Sequence, residues 1–168
     1  SDTAYYDNNY QGDYMIWHQL MTSPDAVRKR VALALSEIFV VSLNGVDISW
    51  RSHAMAHYWD QLVANAFGNY RKLLEDVTLN AAMGYYLNTR GNQKENPATG
   101  RQPDENYARE VLQLFTIGLV DLNPDGTPRH DSSGATIDSY SQNDITHLAR
   151  VFTGYDYDQS QNQPSNVP

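Results

Sequence analysis

A mainly α-helical domain, built as a bundle of about six helices with a β-hairpin inserted near residues 119–140, is the fold class this sequence predicts. Three observations lead there. Apolar residues recur at helical spacing through most of the chain, as in Val27, Val31, Leu35 and Ile38. Helix start and stop signals punctuate those runs. The period then switches to alternation in Leu119-Val120-Asp121-Leu122 and Thr136-Ile137-Asp138-Ser139-Tyr140, with Asp125-Gly126 and Ser133-Gly134 as turns between them.

Residues 1–12 are polar with scattered tyrosines and no period, which predicts an arm. A first helix is expected from near Asp13, with Met15, Ile16, Trp17 and Leu20 on its apolar side. Ser23-Pro24-Asp25 then offers an N-cap hydroxyl, a proline suited to the first helical position and an acid where the helix dipole favours it. The helix it opens carries Ala34 and Phe39 beside its apolar stripe and runs to Asn44-Gly45. A third helix fits Trp50 to Ala66, with Met55, Tyr58, Trp59, Leu62 and Val63, and is punctuated by Gly68-Asn69. A fourth helical region spans Tyr70 to Leu87 with a break around Thr78 to Asn80.

Asn88 to Gln102 loses all periodicity and is long for a loop inside a domain, a common sign of function. Pro103 opens the next helix, whose buried stripe is Ala108, Val111, Leu112 and Phe115 and whose end is Gly118. Ser141 with Asp144 caps a last helix through Ile145, Leu148, Ala149 and Phe152, and Gly154 stops it. The single domain therefore covers 13–155, and 156–168 is a polar tail or linker. A start without Met and a polar end fit a piece of a longer protein.

Composition narrows the function classes. Twenty acidic against 12 basic residues give a net charge of −8, which argues against nucleic acid as a partner, because binding a phosphate backbone needs clustered Lys and Arg. No apolar run reaches the roughly 20 residues of a membrane span. The absence of cysteine removes disulfides and thiol chemistry. No Gly-x-Ser-x-Gly, phosphate loop or dinucleotide fingerprint occurs, so acyl hydrolase, NTPase and dehydrogenase readings find no support.

Three constellations carry candidate chemistry. Asp121, Asn123 and Asp125, followed by Gly126 and with Thr127 offering a backbone carbonyl, match the first half of a calcium loop. The twelfth position is Ser132 rather than a bidentate Glu, and Asn-Pro-Asp-Gly is also good turn chemistry. His53 and His57 stand at i and i+4, a spacing that suits a transition metal, but with no third ligand nearby in sequence. Glu105, Arg109 and Glu110 are the candidate catalytic residues: Arg109 is placed to hold one carboxylate ionised, and a second carboxyl in apolar surroundings could act as an acid. The competing reading makes Glu105 and Arg109 an i,i+4 surface pair and structural glue.

Several separate segments together resemble one family: Arg30 to Ser42, Phe67-Gly68-Asn69-Tyr70-Arg71-Lys72-Leu73-Leu74, Met83 to Leu87, the Pro103 helix with Glu105-Asn106-Tyr107-Ala108-Arg109-Glu110, Leu122-Asn123-Pro124-Asp125-Gly126-Thr127, and Phe152-Thr153-Gly154. This is the DUF1800 family of bacterial proteins, similar over Val27 to Tyr155. The resemblance implies an exported protein, periplasmic or extracellular, and names no activity. Many members carry a Trp-His-x-His-Phe segment where this chain has Leu35-Ser36-Glu37-Ile38-Phe39, so a role borne by those histidines does not carry over.

The expected function is a structural or interaction module, with calcium as the candidate stabilising ion and a protein, an extracellular polymer or the rest of its parent chain as partner. The alternative is a hydrolase of an extracellular polymer using Glu105 or Glu110 with Arg109. Geometry separates them. An enzyme gathers Glu110, Arg109 and the Asn88 to Gln102 loop around one concave pocket, whereas a module leaves an apolar or aromatic patch exposed.

Overall fold

The structure, a computed structural model, describes residues 10–160. The predicted arm over residues 1–9 and the end of the polar tail lie outside the described residues. Among those described, seven α-helices form: α1 (Tyr10–Thr22), α2 (Ala26–Ile38), α3 (Arg51–Asn65), α4 (Tyr70–Thr78), α5 (Ala81–Tyr86), α6 (Asn106–Glu110) and α7 (Gln142–Val151). The fold is mainly α.

The central helix is α3. Its Met55, Tyr58, Trp59 and Leu62, at i, i+3, i+4 and i+7, form a buried stripe. Around it pack α1, α2, α4 and α5. Polar atoms on this stripe are satisfied across the interfaces, since Tyr58 donates its hydroxyl to the Phe39 carbonyl and Trp59 Nε1 donates to Gln19 Oε1 at 2.9 Å. A second cluster of Ala108, Ile145 and Ala149 joins α6 to α7, and Phe152 packs against both clusters.

Helix starts follow local chemistry and differ from the sequence reading at α1, α2 and α6, the last of which begins at Asn106 and not at Pro103. Asn69 caps α4 by accepting from Arg71 N and Lys72 N, and Asn80 caps α5 by accepting from Ala82 N and Met83 N. Ser141 and Asp144 form the expected capping box on α7. The start of α1 is at Tyr10, so residues 10–12 belong to the helix and not to an arm. The start of α2 is at Ala26, with Pro24 and Asp25 in a turn and the Ser23 hydroxyl donating to the Asp25 carboxylate. Ser23 is therefore not the cap. The helix ends at Ile38, and Asn44-Gly45 belongs to a separate 3₁₀ turn, Leu43–Gly45. Gly45 is required there, because a Cβ would lie 2.7 Å from the Tyr86 ring.

After α6 the chain widens into a π turn, Val111–Phe115, closed by Gly118 N donating to Leu112 O at 2.9 Å with Gly118 at φ +77°. The wider turn carries Phe115 into the core, where its ring lies 4.9 Å from Phe39 and 6.1 Å from Tyr107.

The β-hairpin insertion predicted over 119–140 is not found. Among the described residues there is no β-strand, and this segment instead doubles back through isolated antiparallel bridges, Val120 with Asp138, Leu122 with Pro128 and His130 with Thr136. The reason is local. The turns at Asp125-Gly126 and Asp131 to Gly134 lie so close together that each arm is only a few residues long, and Pro128 has no N–H to donate to a ladder.

Candidate functional site

Asp104 accepts from Asn106 N at 2.8 Å and so helps start α6, whose one turn sets the directions of Glu105, Arg109 and Glu110. Glu105 faces α7. Its Oε2 accepts from Arg109 Nη2 at 2.8 Å and from Gln142 Nε2 at 3.0 Å, and its Oε1 accepts from Gln142 Nε2 at 3.1 Å and from the Thr146 hydroxyl at 2.9 Å. Arg109 Nη2 also donates to Gln142 Oε1 at 3.0 Å. This is a closed network in which every partner is a neighbour in the fold.

The Gln142 amide and the Thr146 hydroxyl, then Arg109, hold the Glu105 carboxyl below its ordinary value of 4.5. A group depressed in this way adds stability that is complete above about pH 4.5 and is lost as pH falls through its lower folded value. Glu105→Ala is expected to cost about 1–2 kcal/mol, a charged network discounted for its partial exposure. Arg109→Lys should cost less than about 1 kcal/mol, since Gln142 and Thr146 keep their hold. Urea unfolding of Glu105→Gln against the parent at pH 7 and pH 3.5 checks the cause: the gap between them should narrow at the lower pH.

Glu110 points the other way. It lines a cavity of about 220 Å³ with Ile38, Val40, Tyr86, Leu87, Leu114 and Phe115, and its buried Oε2 has no hydrogen-bond partner. Arg109 belongs to the α7 side and the 88–102 loop borders a different hollow, with Asn88, Asn92, Arg101 and Asp104. The three features that a hydrolase would gather stand apart.

The long loop is anchored from within by Asn92, one residue of the stretch whose sequence shows no period. Asn92 Nδ2 donates to Asp104 O at 3.3 Å and Phe152 O at 3.1 Å, its Oδ1 accepts from Asp104 N at 2.8 Å, and its own carbonyl accepts from Gly154 N at 2.8 Å. One buried amide thereby ties the loop to the start of α6 and the end of α7.

In the candidate calcium loop the side chains already hold one another. Asp121 pairs with Arg129 at 2.6 Å, Asp125 Oδ1 accepts from Thr127 N at 3.0 Å and Thr127 Oγ1 at 2.7 Å, and Asn123 turns its amide donor toward Thr127 Oγ1 at 3.0 Å. The Thr127 carbonyl, the fourth candidate ligand, accepts from Asn123 N at 2.8 Å. An arginine in the place of a cation and an amide donor turned inward do not fit a calcium cage. The Thr127 hydroxyl and then its backbone amide hold the Asp125 carboxyl below its ordinary range. Melting curves in millimolar calcium and in chelator are expected to superimpose; a rise in Tm with the logarithm of calcium concentration would restore the ion to this loop.

The two histidines part company. His53 stacks edge-on against Trp50, with centroids 5.1 Å apart. His57 Nδ1 lies 3.2 Å from Asn80 Nδ2, and because Asn80 Oδ1 is committed to the α5 cap, the amide nitrogen must donate and Nδ1 must accept. Among the described residues no group of three or more His, Asp or Glu is arranged to hold a metal ion.

The segments that carry these positions are also those by which the chain can be classed. A family model described as a protein of unknown function (DUF1800) matches residues 3–167. The chain belongs to the DUF1800 family. No curated protein matches it, and no solved structure does. Within this DUF1800 chain the Glu105, Arg109, Gln142 and Thr146 network binds two helices together, while Glu110 Oε2 has no hydrogen-bond partner. Gln142 and Thr146 gave no sequence signal beyond membership of a capped helix, because their role depends on contacts 37 and 41 residues away.

Proposed function

We propose that this chain is an interaction module of an exported protein. The observation that carries the reading is α1, which leaves Tyr10, Tyr14, Trp17 and Met21 exposed by 62–82% at positions i, i+4, i+7 and i+11. That spacing puts four large apolar side chains on one helix face. The opposite side of α1 is satisfied by the core through Leu20, Met15 and Ile16. Exposed apolar residues arranged as a stripe, rather than scattered, are the pattern of a protein interface. The export setting rests on the family.

The hydrolase reading draws less support. Glu105 is immobilised by four hydrogen bonds and Arg109 serves that network, which leaves Glu110 without a second free carboxyl beside it.

Selection of a displayed peptide library against the immobilised chain tests the module. Binders are expected to lose the Trp17→Glu, Met21→Glu variant by at least tenfold in affinity, while its unfolding free energy stays within about 0.5 kcal/mol of the parent, as for exposed sites. Selected peptides that bind parent and variant alike would remove α1 as the interface. A loss of stability of several kcal/mol would show that the stripe is packed within the fold.

A further inference from the structure

We propose that the cavity between Thr89, His57 and the segment Tyr155 to Gln159 binds a neutral sugar. It is a site separate from the α1 face and rests on different residues.

The cavity lies where α5 and the chain that follows it meet the residues beyond α7. Its volume is about 560 Å³, inside the roughly 300–1,000 Å³ range of small-ligand sites. One wall is fixed by the fold itself. Arg90 and Tyr155 pair in a parallel bridge, and Gly91 N donates to Tyr155 O at 2.8 Å. Arg90 Nε donates to Asp156 Oδ1 at 3.2 Å, and the guanidinium lies 4.3 Å from the centre of the Tyr157 ring. A wall already held in this way does not have to be ordered by a guest. Tyr157 itself takes no part in binding, since Arg90 covers its ring and its hydroxyl is closed to solvent.

Thr89 carries the inference. It is 4% exposed and lines the cavity, and its hydroxyl makes no hydrogen bond among the described residues, whereas buried hydroxyls are ordinarily satisfied within a fold. Unlike Glu110 Oε2 and Tyr157 Oη, Thr89 Oγ1 is not shut away, so a guest in the cavity can meet it. Gly84, on the same wall, keeps that oxygen clear. A Cβ at residue 84 would stand 3.3 Å from Oγ1.

The other lining groups set the class of ligand. Because His57 Nδ1 accepts from Asn80, the neutral ring carries its hydrogen on Nε2, a donor without a partner among the described residues. Asp156 spends Oδ1 on Arg90 and the Tyr157 amide, which leaves Oδ2 as an acceptor. The Tyr157 amide and then Arg90 hold this carboxyl below its ordinary range, so it is ionised at neutral pH. Tyr155 and Leu79, 39% and 61% exposed, add apolar surface. An anion meets the repulsion of Asp156 and Asp158, a cation leaves the His57 donor unanswered, and an apolar guest leaves every polar group unpaired. A neutral sugar has hydroxyls that both donate and accept, and a C–H face that packs on a tyrosine ring.

Amide NMR signals of Gly84, Thr89, Gly91 and Asp156 are followed in the whole 168-residue chain. The probes are the methyl glycosides of glucose, galactose, mannose and N-acetylglucosamine, with glucuronate, choline and cyclohexanol as controls. At least one glycoside is expected to shift these signals with a Kd of roughly millimolar, the limit for so few heavy atoms. The controls should bind about fivefold more weakly or worse. Thr89→Val keeps the shape without the hydroxyl and should weaken the sugar about fivefold, the loss of one hydrogen bond. Its Tm should stay at or above the parent's, because no bond within the fold is removed. Thr89→Ser should bind as the parent does. Gly84→Ala crowds the same hydroxyl from the helix side and should weaken the sugar likewise, which keeps the test open if the valine variant is unstable.

Absence of shifts with all four glycosides overturns the proposal, as does sugar binding unchanged in both Thr89→Val and Gly84→Ala. Tighter binding of choline or glucuronate overturns the choice of a neutral ligand. None of these readouts touches α1, so the fate of the module reading is decided separately by the Trp17 and Met21 variant.

Discussion

Phe115→Ala is expected to cost about 3–5 kcal/mol in denaturant unfolding, the largest effect of any single truncation considered for this chain. The side chain is 3% exposed, and its ring lies against those of Phe39 and Tyr107, both members of the main cluster. Removing it takes away the transfer free energy of a buried aromatic and leaves a hole beside the 220 Å³ cavity that it already floors. Collapse is resisted on one side, because the Phe115 carbonyl accepts from Tyr70 Oη at 2.5 Å and fixes the backbone. Phe115→Leu should recover more than half of the loss. A cost below about 1 kcal/mol for alanine would take the π turn out of the core.

Asn80→Ala should cost about 2–4 kcal/mol by the same measurement. The amide is 2% exposed and all of it is used: Oδ1 accepts from Ala82 N at 2.8 Å to start α5, and Nδ2 donates to Gln61 Oε1 at 2.7 Å and to His57 Nδ1 at 3.2 Å. Alanine loses the cap, worth about 1 kcal/mol, and also leaves a partly buried Gln61 acceptor without its donor. Asn80→Asp separates the two parts. It retains the capping oxygen but not the donor, so it should fall between parent and alanine. Equal stability of the alanine variant and the parent would mean that water replaces the amide, and that α5 needs no cap.

What could be read from the chain differs by residue for a common reason. Ser141 and Asp144 act within one helical turn, so their capping box was legible, and so was the break near Asn80 between α4 and α5. Asn80 was legible only as part of a helix break and Asn92 only as part of an aperiodic loop, because their burial follows from segments that arrive from elsewhere in the chain. The alternation over 119–140 suggested strands, yet periodicity says nothing about whether arms are long enough to build a ladder, and here closely spaced turns and Pro128 limit them to single bridges.

The sequence by itself determined the helical class, the order of the helices, the capping of the last one and the family, because apolar period, caps and motifs are properties of neighbouring residues. Only the tertiary structure decided that Glu105 is consumed by α7 and that Glu110 keeps an unpartnered oxygen. It alone showed α1 presenting four large apolar side chains to solvent. Each of these depends on which surfaces meet across long stretches of chain, and hydrogen-bond satisfaction and burial are settled only when those surfaces have met.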